Sequence, residues 1–415
     1  VNTAYKKTAR NWILLILGIL VGVVGLLRLN FLFAVRYPGG KDFLARWMGA
    51  RMWLMEGISP YDERVSLATQ EEIYGRPADP EQGEDENHFV YPLTSMFFFG
   101  PFGLLEYEQA RAVWMTVLEI SLVVLTLISL RLAKWKASLL ETFGLVFFSL
   151  IWYHSLRSVI IGQFSIINSL LIVGAIWAVY QDRDSLGGVL LAFSIAKPQM
   201  VVLIIPYVLL WALSRKRMQV IWGFLISLAI QMAITLALIP DWPLQMLRQV
   251  LDYPSYTYTG SPLTLVAEAV PGLKTQVNWT LHVIFGLYLL LEWGLSWGKD
   301  RQWFLWTAFM TLVMSNVLAF YGLATTNYVM LLPVIFLVAK IFIKRWGKPA
   351  RRGVWAFLVV MAVGLWGLFG QVMAGNIGHD LYWPVLIVCL LGLWWVRWWA
   401  IDPMRLSLIV EEETR

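Results

Sequence analysis

The sequence predicts an all-α polytopic membrane protein, and three observations carry that prediction. Of its 415 residues 59% are hydrophobic and only 14% charged, whereas soluble domains run nearer a quarter charged. The apolar residues gather in a series of long runs. Basic side chains, in turn, collect in short connections between alternate runs. Together these exclude a soluble globular enzyme. Cys389, the single cysteine, removes disulfide frameworks and multi-thiolate metal sites. The histidines His88, His154, His282 and His379 form no metal-binding pair on one helix face.

Residues 12–35 form the first expected span, because about 20 residues rising roughly 1.5 Å each cross a hydrocarbon core of about 30 Å. Arg28 interrupts this run, and no small-residue cleavage pattern follows it, so an uncleaved helix is expected. Pro38, Gly39 and Gly40 end it. Residues 41–56 then read as an amphipathic helix along the outer surface, with Phe43, Trp47, Ala50 and Leu54 as its apolar face. Gly57, Pro60 and Tyr61 stop it by turn chemistry. Residues 62–88 are rich in charge, Pro and Gly and read as a solvated excursion. Glu84, Asp85 and Glu86 lack the alternating spacing of a cation loop, so no metal and no cofactor are expected. After Tyr91-Pro92, the run 93–105 is too short and too broken by Pro101 and Gly103 to span, and predicts a re-entrant or interfacial helix.

Further spans are expected over 110–132, 139–153, 159–180, 186–213, 220–238, 277–297, 303–321, 328–342, 354–373 and 381–400. Lys197-Pro198 lies in the middle of 186–213, where proline removes a helix hydrogen bond and disfavours helix before it. That run therefore predicts a helical hairpin turning near Lys197. The best count is twelve crossings, within a range of about 11–13 set by the span length. Lys6, Lys7 and Arg10, the Arg131 and Arg215 groups, Lys299 with Arg301, and the 344–352 group fall in short connections expected to be cytoplasmic. The connection 36–91 carries eleven acidic residues against six basic ones and belongs outside. The expected topology is a multi-pass plasma or inner membrane protein with both termini cytoplasmic and 239–276 as a second outer loop. Residues 1–217 then form a core with the first outer loop, and 218–415 a C-terminal set of spans. Loop placement accounts for the net charge of +6, so nucleic acid is not an expected partner.

Polar groups near the outward ends of spans are costly unless they face a cavity or a partner. His154, Arg157, Gln163, Asn168, Lys197 and Gln199 occupy such positions, on the side that bears Asp42. Arg157, Lys197 and a protonated His154 can hold a phosphate through charge-assisted hydrogen bonds, or can snorkel to the interface. Asp42 opens the 41–56 helix with Arg46 one turn on, and local sequence alone makes it a helix cap. Tyr253, Tyr256 and Tyr258 in the second outer loop suit either an aromatic belt or a sugar-stacking surface. Asn316, Tyr321, Thr325, Thr326, Asn327 and Tyr328 form a last polar group on that side.

Four features in this order resemble one family: Asp42-Phe43 opening a helix that ends at Gly57 and Pro60-Tyr61-Asp62; Tyr91-Pro92-Leu93; Gly162-Gln163 with Asn168; and Lys197-Pro198 after Gly187-Gly188. The pattern resembles the GT-C superfold glycosyltransferases, specifically the mannosyltransferase-like family 87. It covers residues 42–217 and continues beyond them only as hydropathy. Where such proteins commonly carry a Trp- and His-rich segment, this chain has Ala324-Thr325-Thr326-Asn327-Tyr328.

The resemblance implies transfer of a hexose, mannose above all, from a polyprenyl-phosphate sugar to a hydroxyl of a lipid or glycan acceptor at the extracytoplasmic face. It implies Asp42 as base, with Arg157, Lys197 or His154 at the leaving phosphate. Arg46, Tyr91, Gln163, Asn168, Gln199, Tyr256, Tyr258 and Asn327 are expected around the substrates. A single base with backside attack inverts the anomeric centre. Two other readings stand beside this one. The chain can be a non-catalytic subunit of a membrane complex, since fold does not fix activity, or a lipid or solute transporter, which also uses broken helices.

Overall fold

The computed structural model describes residues 2–255, 260–270, 272–318, 324–375 and 383–401, and every regular element among them is helical. In chain order these are α1 (Asn2–Arg36), α2 (Lys41–Glu56), α3 (Glu63–Tyr74), the single turn α4 (Met96–Phe99), α5 (Tyr107–Leu132), α6 (Leu139–Ile151), α7 (Tyr153–Ile161) and α8 (Ser165–Tyr180). They continue as α9 (Asp184–Ser194), α10 (Ile204–Ser214), α11 (Met218–Leu238), α12 (Trp242–Asp252), α13 (Pro262–Glu268), α14 (Lys274–Ser296), α15 (Arg301–Leu318), α16 (Leu332–Met373) and α17 (Trp383–Ile401). Among the described residues six helices are long and apolar enough to cross a membrane, or up to seven if α6 and α7, bent by 54°, make one span. α8, α9 and α10 are apolar but shorter. α16 holds 42 residues and is broken at Gly347, two residues before Pro349. At about 1.5 Å per residue it is roughly twice the thickness of a hydrocarbon core.

α9 and α10 are the two legs of a hairpin. Arg217, just past α10, donates from Nε to Asp184 Oδ2 at 3.0 Å at the start of α9, and from Nη2 to Val179 O at 2.8 Å. Both legs therefore meet the same end of the bundle, and the turn at Lys197 lies at the other. Pro198 opens a short 3-10 turn there, as expected of a residue that cannot donate to the preceding helix. α9 lies against α11 at close range: a Cβ on Gly188 would sit 2.2 Å from Val220 O. Small residues allow such backbone approach between helices in a membrane.

Residues 93–104 form short helical turns around α4, buried against α2. A Cβ on Gly103 would lie 2.8 Å from the Ala50 backbone. Phe43, Trp47 and Ala50 are buried by this contact, whereas Leu54, beyond it, is exposed. The run read as one span over 159–180 is interrupted. Gly162 ends α7 with φ +73, a conformation L side chains rarely adopt, and a Cβ there would sit 2.4 Å from Phe43 Cβ. The new helix, α8, starts at Ser165.

A partly buried ion pair ties α14 to α17. Arg397 Nε and Nη2 reach Glu292 Oε1 and Oε2 at 3.2 and 3.0 Å, and Glu292 is 3% exposed. Removing Arg397 leaves the buried Glu292 carboxylate uncompensated, the costly direction, at up to about 3–5 kcal/mol. Arg397→Met is accordingly expected to lower the unfolding midpoint in detergent sharply, with Glu292→Gln/Arg397→Met recovering most of the loss. Equal midpoints for Arg397→Met and the parent chain would remove this pair from the account of stability.

Candidate active site

The site begins with how α2 is started. Gly40, at φ 78, precedes α2, and no side chain caps the helix. Asp42 is thus released from the capping role that local sequence suggests. Arg46 does not pair with its carboxylate either: Nη1 donates to the Asp42 main-chain oxygen at 2.7 Å, and the guanidinium lies 4.6 Å from the centre of the Tyr91 ring. The Asp42 side chain instead turns to the residue after the Gly162 break. Gln163 Nε2 donates to Asp42 Oδ2 at 3.2 Å.

Gln163 connects three elements. Its Oε1 accepts from Lys197 Nζ at 2.9 Å and from the Tyr91 hydroxyl at 3.1 Å. Lys197 Nζ also donates to Asn327 Oδ1 at 2.9 Å. An amide has one donating and one accepting end, so the contacts to Lys197 and Tyr91 fix which end faces Asp42. Burial pushes the Tyr91 phenol up to about 12, with Arg46 opposing. It therefore stays a neutral donor. Tyr91 is itself held by the Tyr61 hydroxyl, which donates to its carbonyl at 2.7 Å.

Lys197 is 2% exposed, and among the described residues neither it nor Arg46 has a carboxylate within 4.0 Å. Burying an ammonium beside neutral amide oxygens costs several kcal/mol that these two hydrogen bonds offset only in part.

The pocket is a cavity of about 760 Å³, a size suited to small-molecule ligands. Asp42, Arg46, Tyr91, Gln163, Lys197 and Gln199 line it, and Asn327 supports Lys197 from behind. Its lining includes the apolar Val202, Leu203, Val283 and Leu318. It also includes Asp85, Asn87 and His88, which their composition alone assigns to a solvated excursion. That segment is braced. Gln70 Nε2 donates to Glu86 O at 2.8 Å, Gln70 Oε1 accepts from Ala78 N at 2.8 Å, and Arg76 pairs with Glu84 at 2.8 Å. The polar groups that suggest hydration are spent on contacts with α3 and within the segment itself.

Three expected site residues lie elsewhere. His154 is 0% exposed and packs among Trp152, Tyr153 and Tyr328. Arg157 stacks on Phe369 at 4.6 Å. Asn168 is fully buried in the first turn of α8. None of the three lines the pocket, because the break at Gly162 resets the helix phase on both sides of Gln163. Tyr256, Tyr258 and Tyr321 lie outside the described residues. The pocket also takes in Tyr253, Trp279 and His282, of which the sequence points only to Tyr253 as part of a candidate surface. Trp279, His282 and Val283 share one face of α14 at helical spacing, a signal available in the sequence. His282 Nδ1 lies 2.8 Å from Asn278 O and Nε2 lies 3.0 Å from Ser261 Oγ. A carbonyl only accepts, so Nδ1 carries a proton.

The chain matches the model of glycosyltransferase family 87 over residues 89–320, more than half its length. The matched part contains Tyr91, Gln163 and Lys197 and begins beyond Asp42 and Arg46. No curated protein and no solved structure matches it.

Proposed function

Because the chain belongs to glycosyltransferase family 87, we propose that this membrane glycosyltransferase moves a hexose, mannose in the first instance, from a polyprenyl phosphate to an acceptor hydroxyl in the pocket beside Asp42. The observation that carries the reading is the hydrogen-bonded chain from the Asp42 carboxylate through Gln163 to the Lys197 ammonium. It puts a carboxylate base and a cation with no carboxylate within 4.0 Å in one cavity. Asp42 takes the proton of the acceptor hydroxyl, whose oxygen attacks the anomeric carbon. The bond from that carbon to the phosphate oxygen breaks on the opposite face. Its electron pair leaves with the phosphate, and Lys197 and Arg46 stabilise the developing charge. One carboxylate and one displacement invert the anomeric centre.

The mixed lining suits both substrates. The apolar Val202, Leu203 and Val283 accommodate an isoprenoid chain, and Asp85 and Asn87 suit hydroxyls of a lipid or glycan acceptor. The extracytoplasmic assignment is supported by position. The turn at Lys197 lies at the opposite end of its hairpin from Arg217 and the basic connections. The acidic connection 36–91 shares the pocket end, since Asp85 and Asn87 line the cavity.

The test is incubation of purified protein with polyprenyl-phosphate mannose or glucose and sugar-headed lipid acceptors, with products read by mass spectrometry and their anomeric configuration by NMR. A new glycosidic bond of inverted configuration supports the proposal; consumption of nucleotide sugar alone contradicts it. Gln163 is a positioning residue in this scheme. Gln163→Leu removes a hydrogen bond to each charged group, each contributing about 1.5–3 kcal/mol. The expected outcome is a fall in kcat of about 10–100-fold with Gln163→Glu shifting the pH profile, since its carboxylate adjoins Asp42. An unshifted profile for Gln163→Glu sinks the positioning role.

A further inference from the structure

α12 follows α11 through residues 239–241 and has two unlike faces. One face is held by the protein. Gln245 Oε1 accepts from Ser59 Oγ at 2.7 Å, Gln249 Nε2 donates to Tyr61 O at 2.8 Å, and Met246 and Val250 line the pocket. The other face carries Leu244, Leu247 and Leu251, which are 52%, 51% and 68% exposed. They recur at helical spacing, and among the described residues nothing covers them. Arg248 is exposed at the edge of this stripe.

Singly exposed leucines need no explanation, but three on one face beside a basic residue do. The span they follow in the chain points to the occupant. α11, a candidate membrane span immediately before it, exposes Ile230, Ile234 and Leu238 at its α12 end, so α12 with its leucine face follows a lipid-suited surface after three residues. We propose that α12 is an in-plane helix whose Leu244, Leu247 and Leu251 face is buried in the headgroup–acyl boundary of the bilayer, so that the membrane itself clamps this wall of the pocket. Arg248 then sits at the level of lipid phosphates, where its guanidinium pairs with them. The clamp matters to the site because the face tied to Ser59 and Tyr61 is on the same short helix. Tyr61 holds the Tyr91 carbonyl. Lifting α12 out of the interface loosens the wall that Met246 and Val250 supply and the tether through Tyr61. This inference requires that the bundle spans a bilayer; it does not depend on which sugar or acceptor is used, nor on catalysis.

The chain suits a direct test, since Cys389 is its only cysteine and is fully buried. In a Cys389→Ala background, single cysteines at 244, 247, 248 and 251 are spin-labelled, and the protein is placed in phosphatidylcholine–phosphatidylglycerol nanodiscs. Power saturation with oxygen and with a nickel chelate then reads depth. The expected result is labels at 244, 247 and 251 about 5–10 Å below the phosphate plane, with the label at 248 at or above that plane. Leucine-face labels as open to nickel as the one at 248 overturn the proposal. Labels shielded from both oxygen and nickel overturn it too, in favour of a protein partner. Amide exchange supplies the second readout. In nanodiscs a Leu244→Gln/Leu247→Gln/Leu251→Gln variant is expected to lose protection in α12 while α11 keeps it, and equal protection in α12 removes the clamp.

Discussion

Asp42→Asn is expected to reduce sugar transfer by about 10²–10⁴-fold, the span associated with loss of a general base, while donor binding stays within a factor of about 2, inside measurement scatter for additive sites. The substitution is close to isosteric. The asparagine side-chain oxygen can still accept the hydrogen bond that Gln163 Nε2 gives to Asp42 Oδ2 at 3.2 Å, so the geometry of the network survives and only basicity disappears. The comparison needs initial rates of product formation and, separately, the affinity for a polyprenyl phosphate. Turnover near that of the parent enzyme would falsify the assignment of Asp42 as base. Parallel loss of donor affinity would instead place Asp42 in donor binding.

The second large effect is expected at Lys197. Lys197→Met keeps most of the stem volume and removes the ammonium that bonds Gln163 and Asn327 at 2.9 Å. A hydrogen bond from a buried ammonium to an anion is worth about 1.5–3 kcal/mol, so affinity for polyprenyl phosphate should fall about 10–100-fold without it. The drop in kcat should be greater, about 10²–10³-fold, because the phosphate gathers charge as the bond to the sugar breaks. Salt screens buried charges weakly, so the deficit should persist in high ionic strength. Unchanged affinity, measured by titration with a short-chain polyprenyl phosphate in nanodiscs, would leave Lys197 a structural residue.

Much of this site is legible in the sequence because chain-breaking residues mark it. The bounds of α2 follow from Gly40 and Gly57, and the hairpin turn from Pro198 in an otherwise apolar run. Asp42, Tyr91, Gln163 and Lys197 each adjoin such a break, and the structure brings all four together. The positions that differ from the sequence-based expectation share one cause. Apolar residues adjoin Gly162 on both sides, so the run 159–180 conceals a helix end, and the phase of His154, Arg157 and Asn168 cannot be carried across it. Residues 84–88 are hidden for the opposite reason. Charge and turn residues suit water as well as they suit a wall braced by Gln70 and Arg76. Spacing alone puts Arg46 beside Asp42, but its partner there is a main-chain carbonyl, and no periodicity distinguishes that oxygen from the carboxylate.

The central claim is that a donor phosphate lodges between Lys197 and Arg46 with its sugar turned to Asp42. A cryo-EM structure in nanodiscs with a non-transferable polyprenyl-phosphate sugar analogue tests this most directly. The expected map has the phosphate within hydrogen-bond distance of Lys197 Nζ, the anomeric carbon facing the Asp42 carboxylate, and the isoprenoid along Val202 and Val283. A map with the phosphate bound away from both cations, and Lys197 still held only by Gln163 and Asn327, would contradict it.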